Sequence, residues 1–156
     1  VHRHPDRAAL RVFRTGEERL ITALLLSTAL FLGAILSHLS ILQRGHDWLG
    51  KSDSVATKAA VSLLVLFSHL IVAAWFGGGF WFGNELGLGS FDKVSAMGWM
   101  DYFYFSLINI TTLGLGDIYP TQPLRVIAGV EALTGFALIS CSAQLFWSMT
   151  KKGDKQ

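Results

Sequence analysis

Residues 111 to 117 read Thr111-Thr112-Leu113-Gly114-Leu115-Gly116-Asp117 and run on into Ile118, Tyr119 and Pro120. Glycines at 114 and 116 open backbone conformations closed to other residues, so successive carbonyls can point the same way. Oxygens arranged like this replace the hydration shell of a cation. The chemistry on offer is ion binding by backbone dipoles rather than bond-making. The sequence holds no Ser-His-Asp order, no His-Glu-x-x-His pattern and no phosphate loop, and no enzymatic activity is expected.

A loop of this kind needs a carrier. Trp99 to Ile110, just before it, is apolar and aromatic but only about half as long as a membrane span. Leu124 to Thr150, just after it, is long enough to cross. A half-length helix, a glycine-alternating strand, a proline and a full span are what a re-entrant loop requires, because irregular backbone at membrane depth survives only when buried in protein or lining a water-filled path.

The rest of the 156 residues supplies the membrane setting. Hydrophobic residues make up 51% and charged residues 15%, against roughly 25% charged in an ordinary soluble domain. Leu20 to Gln43 and Ala59 to Asn84 contain no charged side chain, and each exceeds the roughly 20 residues that cross a bilayer. The first run lies too late and runs too long for a secretory signal and should stay in the mature protein. A net charge of +2 is too small to suggest nucleic acid.

The expected segments are a basic leader over 1–19, an extra span over 20–43, a loop over 44–58 and a pore module over 59–150, with a short tail over 151–156. Arg3, Arg7, Arg11 and Arg14 in the leader suit a short interfacial helix. A voltage sensor would instead carry its arginines within a span. In the 44–58 loop, Ser54 is placed to cap the next helix. That helix is expected over 59–76, ended by Gly77-Gly78-Gly79. Trp75, Phe76, Phe80, Trp81 and Phe82 around the break read as an aromatic belt at headgroup depth, with the chain out of the membrane from Gly83 to Gly98.

Thr111 to Asp117 resembles the selectivity filter of potassium channels, of general form TVGYG. The order of outer helix, pore helix, filter, Tyr-Pro and inner helix resembles the two-helix pore module. Glu131-Ala132-Leu133-Thr134-Gly135, with the extra N-terminal helix, resembles small bacterial three-helix members. The resemblance implies an all-α membrane protein with outer helix 59–76, re-entrant pore helix 99–110, filter 111–117 and inner helix 124–150. It implies a homotetramer in a lipid bilayer, since one chain supplies one filter strand, and passive conduction of potassium or another monovalent cation. A bacterial inner membrane and no cofactor beyond bound K+ go with it.

Position by position, the resemblance implies K+ coordination at Thr112, Leu113, Gly114 and Leu115. Gly116 shapes the outer mouth and Asp117 stands outside it, concentrating cations. Gly135 matches a hinge glycine. Two departures stand out. Leu115 replaces the family's filter Tyr, and Phe105 replaces a Trp that donates to it, so packing is expected to replace a hydrogen bond behind the filter. Ile108 stands where some members have a Glu that pairs with the filter Asp, and Tyr104 is expected to reach Asp117 instead.

Glu131 is the only carboxylate of the third span. One reading makes it a buried carboxyl bonded to hydroxyls, the other a proton-sensitive gate. His38 and His69 sit in the first and second spans, each satisfying a ring nitrogen from a carbonyl or hydroxyl, with a His69 to Glu131 contact open. His2 and His4 read as solvated leader residues. One cysteine, Cys141, excludes an intrachain disulfide.

Three crossings with the filter facing outward put six basic residues inside and seven outside, which gives no charge bias. Were the first segment not to cross, eleven would lie inside and two outside. The few residues after the third span leave gating to the pore, lipid, protons or a partner. Three other functions remain open: a weakly selective cation channel, a non-conducting subunit, and a secondary transporter, which expects an internal repeat.

Overall fold

A computed structural model describes residues 7–52, 54–94 and 96–151 of the chain. His2, Arg3, His4 and the tail 152–156 lie outside the described residues, as do the side chains of Arg7, Arg11 and Arg14. Four helices run in the order α1 (Arg7–Lys51), α2 (Val55–Glu85), α3 (Trp99–Ile110) and α4 (Leu124–Lys151). Two short strands, β1 (Phe91–Asp92) and β2 (Tyr119–Pro120), pair antiparallel with Phe91 opposite Pro120 and Asp92 opposite Tyr119. Three helices are long and apolar enough to cross a membrane: Thr15–Lys51, Val55–Glu85 and Leu124–Met149.

The loop expected from 44 does not form there, because α1 continues to Lys51. Leu42, Gly45 and Leu49 keep the three-and-four spacing of one helix face, and that face is occupied. A Cβ at Gly45 would lie 3.2 Å from Val61 Cγ1, and Leu49 and Leu42 pack with Val61, Val65, Leu145 and Met149 in a second apolar cluster. The polar residues between them face outward and do not stop the helix. α2 starts after Ser54, whose Oγ accepts from the Thr57 N–H at 3.1 Å.

Nor do Gly77-Gly78-Gly79 end α2, which runs on to Glu85. Gly77 and Gly79 remove side chains where neighbours press in. A Cβ at Gly77 would lie 3.3 Å from the Tyr102 carbonyl oxygen of α3, and one at Gly79 would run into Leu30 of α1. Helices in lipid associate through such close packing, with small residues at the contact. The aromatic belt divides for the same reason. Trp75, Trp81 and Phe82 are exposed, but Phe76 and Phe80 are fully buried. Phe80 packs edge-on against Phe91 and Phe105, with ring centroids 5.8 and 5.0 Å apart.

Leu30 of α1 meets Gly79 of α2, and Gly45 meets Val61, so the two helices are antiparallel over the same thickness. The first segment therefore runs antiparallel beside α2. Arg19 Nη1 donates to Gln122 Oε1 at 3.4 Å, which puts that end of the α1 span level with the start of α4. Midway along, fully buried His38 contacts Ser68 of α2 through Nδ1 at 2.9 Å and Ser142 of α4 through Nε2 at 3.2 Å. One ring thus bridges three spans.

Candidate functional site

α3 brings the glycine-alternating segment to the middle of the fold. Its start is fixed by Asp101, whose carboxylate accepts from the Gly98 N–H at 2.8 Å, a contact that also sets negative charge at the helix's positive end. Its last turn is fixed by the loop it carries. The Ile108 carbonyl accepts from the Leu113 N–H and from Thr111 Oγ1, both at 3.0 Å. Asn109's carbonyl accepts from the Thr112 N–H at 2.9 Å.

Beyond that anchor, every second residue is left-handed, with φ of 59° at Thr112, 54° at Gly114 and 72° at Gly116. Glycine adopts this at no steric cost, whereas a β-branched threonine is strained by about 1–3 kcal/mol. All of residues 111–117 are exposed, with Leu113 at 63% and Leu115 at 59%. The sequence pointed to the glycines as left-handed positions; it singled out Thr112 for coordination but gave no sign of its left-handed backbone.

The far end of the segment is tied to two elements. Tyr104 OH of α3 donates to Asp117 Oδ2 at 2.7 Å, and Asp117 Oδ1 accepts from the Ile118 N–H at 3.0 Å. The Tyr104 bond holds the Asp117 carboxyl below its usual range, with the Ile118 N–H and the nearby Lys93 charge acting in the same direction. Lys93 Nζ donates to the Gly116 carbonyl at 2.7 Å.

Behind the segment lies a buried polar cluster. Glu131, fully buried on α4, faces Ser106 and Asn109 of α3. Asn109 Nδ2 donates to Glu131 Oε2 at 2.6 Å and to the Ala128 carbonyl at 2.9 Å. Ser106 Oγ lies in hydrogen-bond contact with Glu131 Oε1 and at 2.6 Å from the Ala73 carbonyl of α2. One hydroxyl proton cannot serve both oxygens, so the second bond is complete only with a proton on the carboxyl. Ser106 and Asn109 were not singled out from sequence, although two polar residues three apart on an apolar half-helix mark one face.

Gly135, one turn below Glu131, is buried where α4 meets the end of α3. A Cβ there would run into the Ile110 carbonyl, and α4 is helical straight through it. In this structure the glycine serves close approach rather than a bend.

One contact left open by the sequence is not made. His69 Nδ1 lies 2.8 Å from the Val65 carbonyl and its ring stacks edge-on with His38 at 4.9 Å, while the polar partners of Glu131 are Ser106 and Asn109, so no His69–Glu131 pair forms. Phe105 is buried against Phe80 and Phe91, and Leu115 is exposed on this chain. Ile108, expected as support, is buried and contributes its carbonyl. Among the described residues no cluster of His, Cys, Asp or Glu suits a metal ion.

Residues 59–152 match a family model described as "Ion channel". No curated protein and no solved structure matches the chain.

Proposed function

The chain belongs to the pore-loop ion channel family matched over residues 59–152, and from that premise we propose that it conducts potassium passively through a pore shared by four copies. The observation that carries this reading is the alternation of left-handed backbone at Thr112, Gly114 and Gly116. Alternation of this kind lines up carbonyls along one side of a strand, and rings of such carbonyls substitute for the water around K+. Thr112, Leu113, Gly114 and Leu115 are the coordinating positions, and Thr111 anchors them to α3.

A single copy offers one row of oxygens. The exposure of Leu113 and Leu115 supports assembly, because apolar side chains beside a polar filter are covered when neighbouring copies pack around a common axis. The likeness to small bacterial members supports an inner-membrane location. Asp117 stands at the mouth as a fixed negative charge that raises the local cation concentration.

A weakly selective cation pore is the second reading, favoured by one observation. Phe105 offers no donor and Leu115 no acceptor, so no side-chain hydrogen bond ties that position of the filter to α3. Flux from liposomes holding purified protein separates the readings. The expected result is fast K+ efflux with little Na+ efflux under matched gradients. Equal rates establish the weakly selective pore, and no efflux of either ion overturns conduction. Gly114→Ala puts a Cβ on a left-handed residue where there is open space around it, so it is expected to abolish flux and leave assembly intact.

A further inference from the structure

Lys93 was given no part in conduction above, yet its side chain reaches the end of the filter segment. Three observations say that the contact is built. Its ammonium donates to the Gly116 carbonyl at 2.7 Å. The same ammonium stands 5.3 Å from the centroid of the Tyr119 ring, within the range of a cation–π contact. Its backbone is left-handed, with φ of 71°, a conformation that a lysine adopts only when its surroundings hold it there.

What holds it is the short sheet. β1 ends at Asp92, immediately before Lys93, and pairs with Tyr119 and Pro120 of β2. Ser90 and Thr121 extend that tie, the Thr121 N–H donating to the Ser90 carbonyl at 2.8 Å and the Ser90 N–H to Thr121 Oγ1 at 3.0 Å. The loop before α3 is thereby sewn to the loop after the filter, and Lys93 is delivered to the mouth from outside. A lysine ammonium is a compact cation with three donors. It satisfies a carbonyl oxygen in the way a partly dehydrated monovalent metal ion does.

We propose that Lys93 is a tethered cation that competes with a permeant monovalent cation for the Gly116 carbonyl, and so sets how ions enter and leave the mouth. The proposal rests on the conduction reading for its consequence but not for its test. With the ammonium in place, the outermost oxygen is taken and a fixed positive charge opposes the attraction of Asp117. When an ion arrives at Gly116, the ammonium swings out into water, losing one hydrogen bond and keeping the Tyr119 ring within reach.

Two measurements test it on the full chain. In the first, amine acylation of Lys93 is mapped by mass spectrometry in potassium chloride and in choline chloride of equal ionic strength, with exposed Lys51 as internal reference. Potassium is expected to raise Lys93 reactivity severalfold relative to Lys51. Equal reactivity in the two salts overturns the competition. In the second, single-channel currents in planar bilayers compare the wild type with Lys93→Gln and Lys93→Arg. Lys93→Gln is expected to pass severalfold more current at low salt, with the gain fading at high salt as the charge is screened, while Lys93→Arg stays near the wild type. Unchanged low-salt current in Lys93→Gln overturns the role at the mouth. A wild type that carries no current but whose Lys93 still responds to potassium loses the conduction reading and keeps the site. Current with salt-independent Lys93 reactivity does the reverse.

Discussion

Behind residues 111–117 the loop rests on buried Ser106 and Glu131 with half-buried Asn109, whereas in front of them it is held by half-buried Tyr104 and exposed Asp117 and Lys93. Both sets are hydrogen-bonded, but their surroundings differ. A partner removed from the buried side leaves a polar group that water cannot reach, at a cost of roughly 1–3 kcal/mol. A partner removed at the mouth is replaced by water, and little stability is lost. What changes there is the charge that an approaching ion meets. The groups behind this loop should therefore govern whether the protein holds together, and those in front of it the charge that a cation meets.

The largest effect expected on this division is at Gly135. Gly135→Ala forces a methyl into the Ile110 carbonyl, and since neither backbone can yield freely the cost should reach about 3 kcal/mol or more. Thermal melting in detergent, followed by the loss of assembled protein, reads it. Retention of the wild-type melting temperature would show that α3 and α4 are not closely packed.

Next come two substitutions of Glu131. Glu131→Leu leaves Ser106 with only the Ala73 carbonyl and Asn109 Nδ2 with only the Ala128 carbonyl, and should destabilise by roughly 1–3 kcal/mol. Glu131→Gln has both an N–H for Ser106 Oγ and an oxygen for Asn109 Nδ2, so it should fall within about 1 kcal/mol of the wild type. Equal losses in the two variants would mean that the carboxyl is not acting as a neutral donor.

At the mouth, Tyr104→Phe should leave the melting temperature nearly unchanged and move a pH profile instead. The Tyr104 bond keeps Asp117 below its ordinary value, so its negative charge persists in the wild type as pH falls through the ordinary carboxylate range. Its contribution is present above that range and is lost only as pH drops through the lowered value. Without the hydroxyl, the acid limb of cation flux should shift to higher pH; a shift to lower pH would contradict the geometry. The smallest effect is expected far from both ends. Gly78 has open space around it, so Gly78→Ala should stabilise α2 by about 0.5–1 kcal/mol and leave conduction as it was.

How legible this was from sequence follows the same physics. Hydrophobic length revealed three helices long enough to cross a membrane, and glycine alternation revealed the left-handed backbone at Gly114 and Gly116, because both are periodic and local. The Trp99–Ile110 half-helix was equally visible, its length being its signal. Glycines were read less well. Gly77-Gly78-Gly79 looks the same whether it breaks a helix or admits two neighbours, and only the positions of Leu30 and Tyr102 decide. Leu42, Gly45 and Leu49 carry a helical stripe diluted by the charges between them, so α1 looked shorter than it is. Lys93 left no trace, since it is one charge in a loop made specific by a two-residue strand pairing with residues far along the chain.

The His38 ring that joins three spans has a mechanical consequence. Above it lie the contacts that seat the 111–117 loop, from Glu131 to Gly135; below it α4 is held to its neighbours by the small cluster of Leu145, Met149, Val61 and Leu49. The extra helix thus pins α4 at Ser142, between a part hydrogen-bonded to α3 and a part packed on α1 and α2 through apolar side chains.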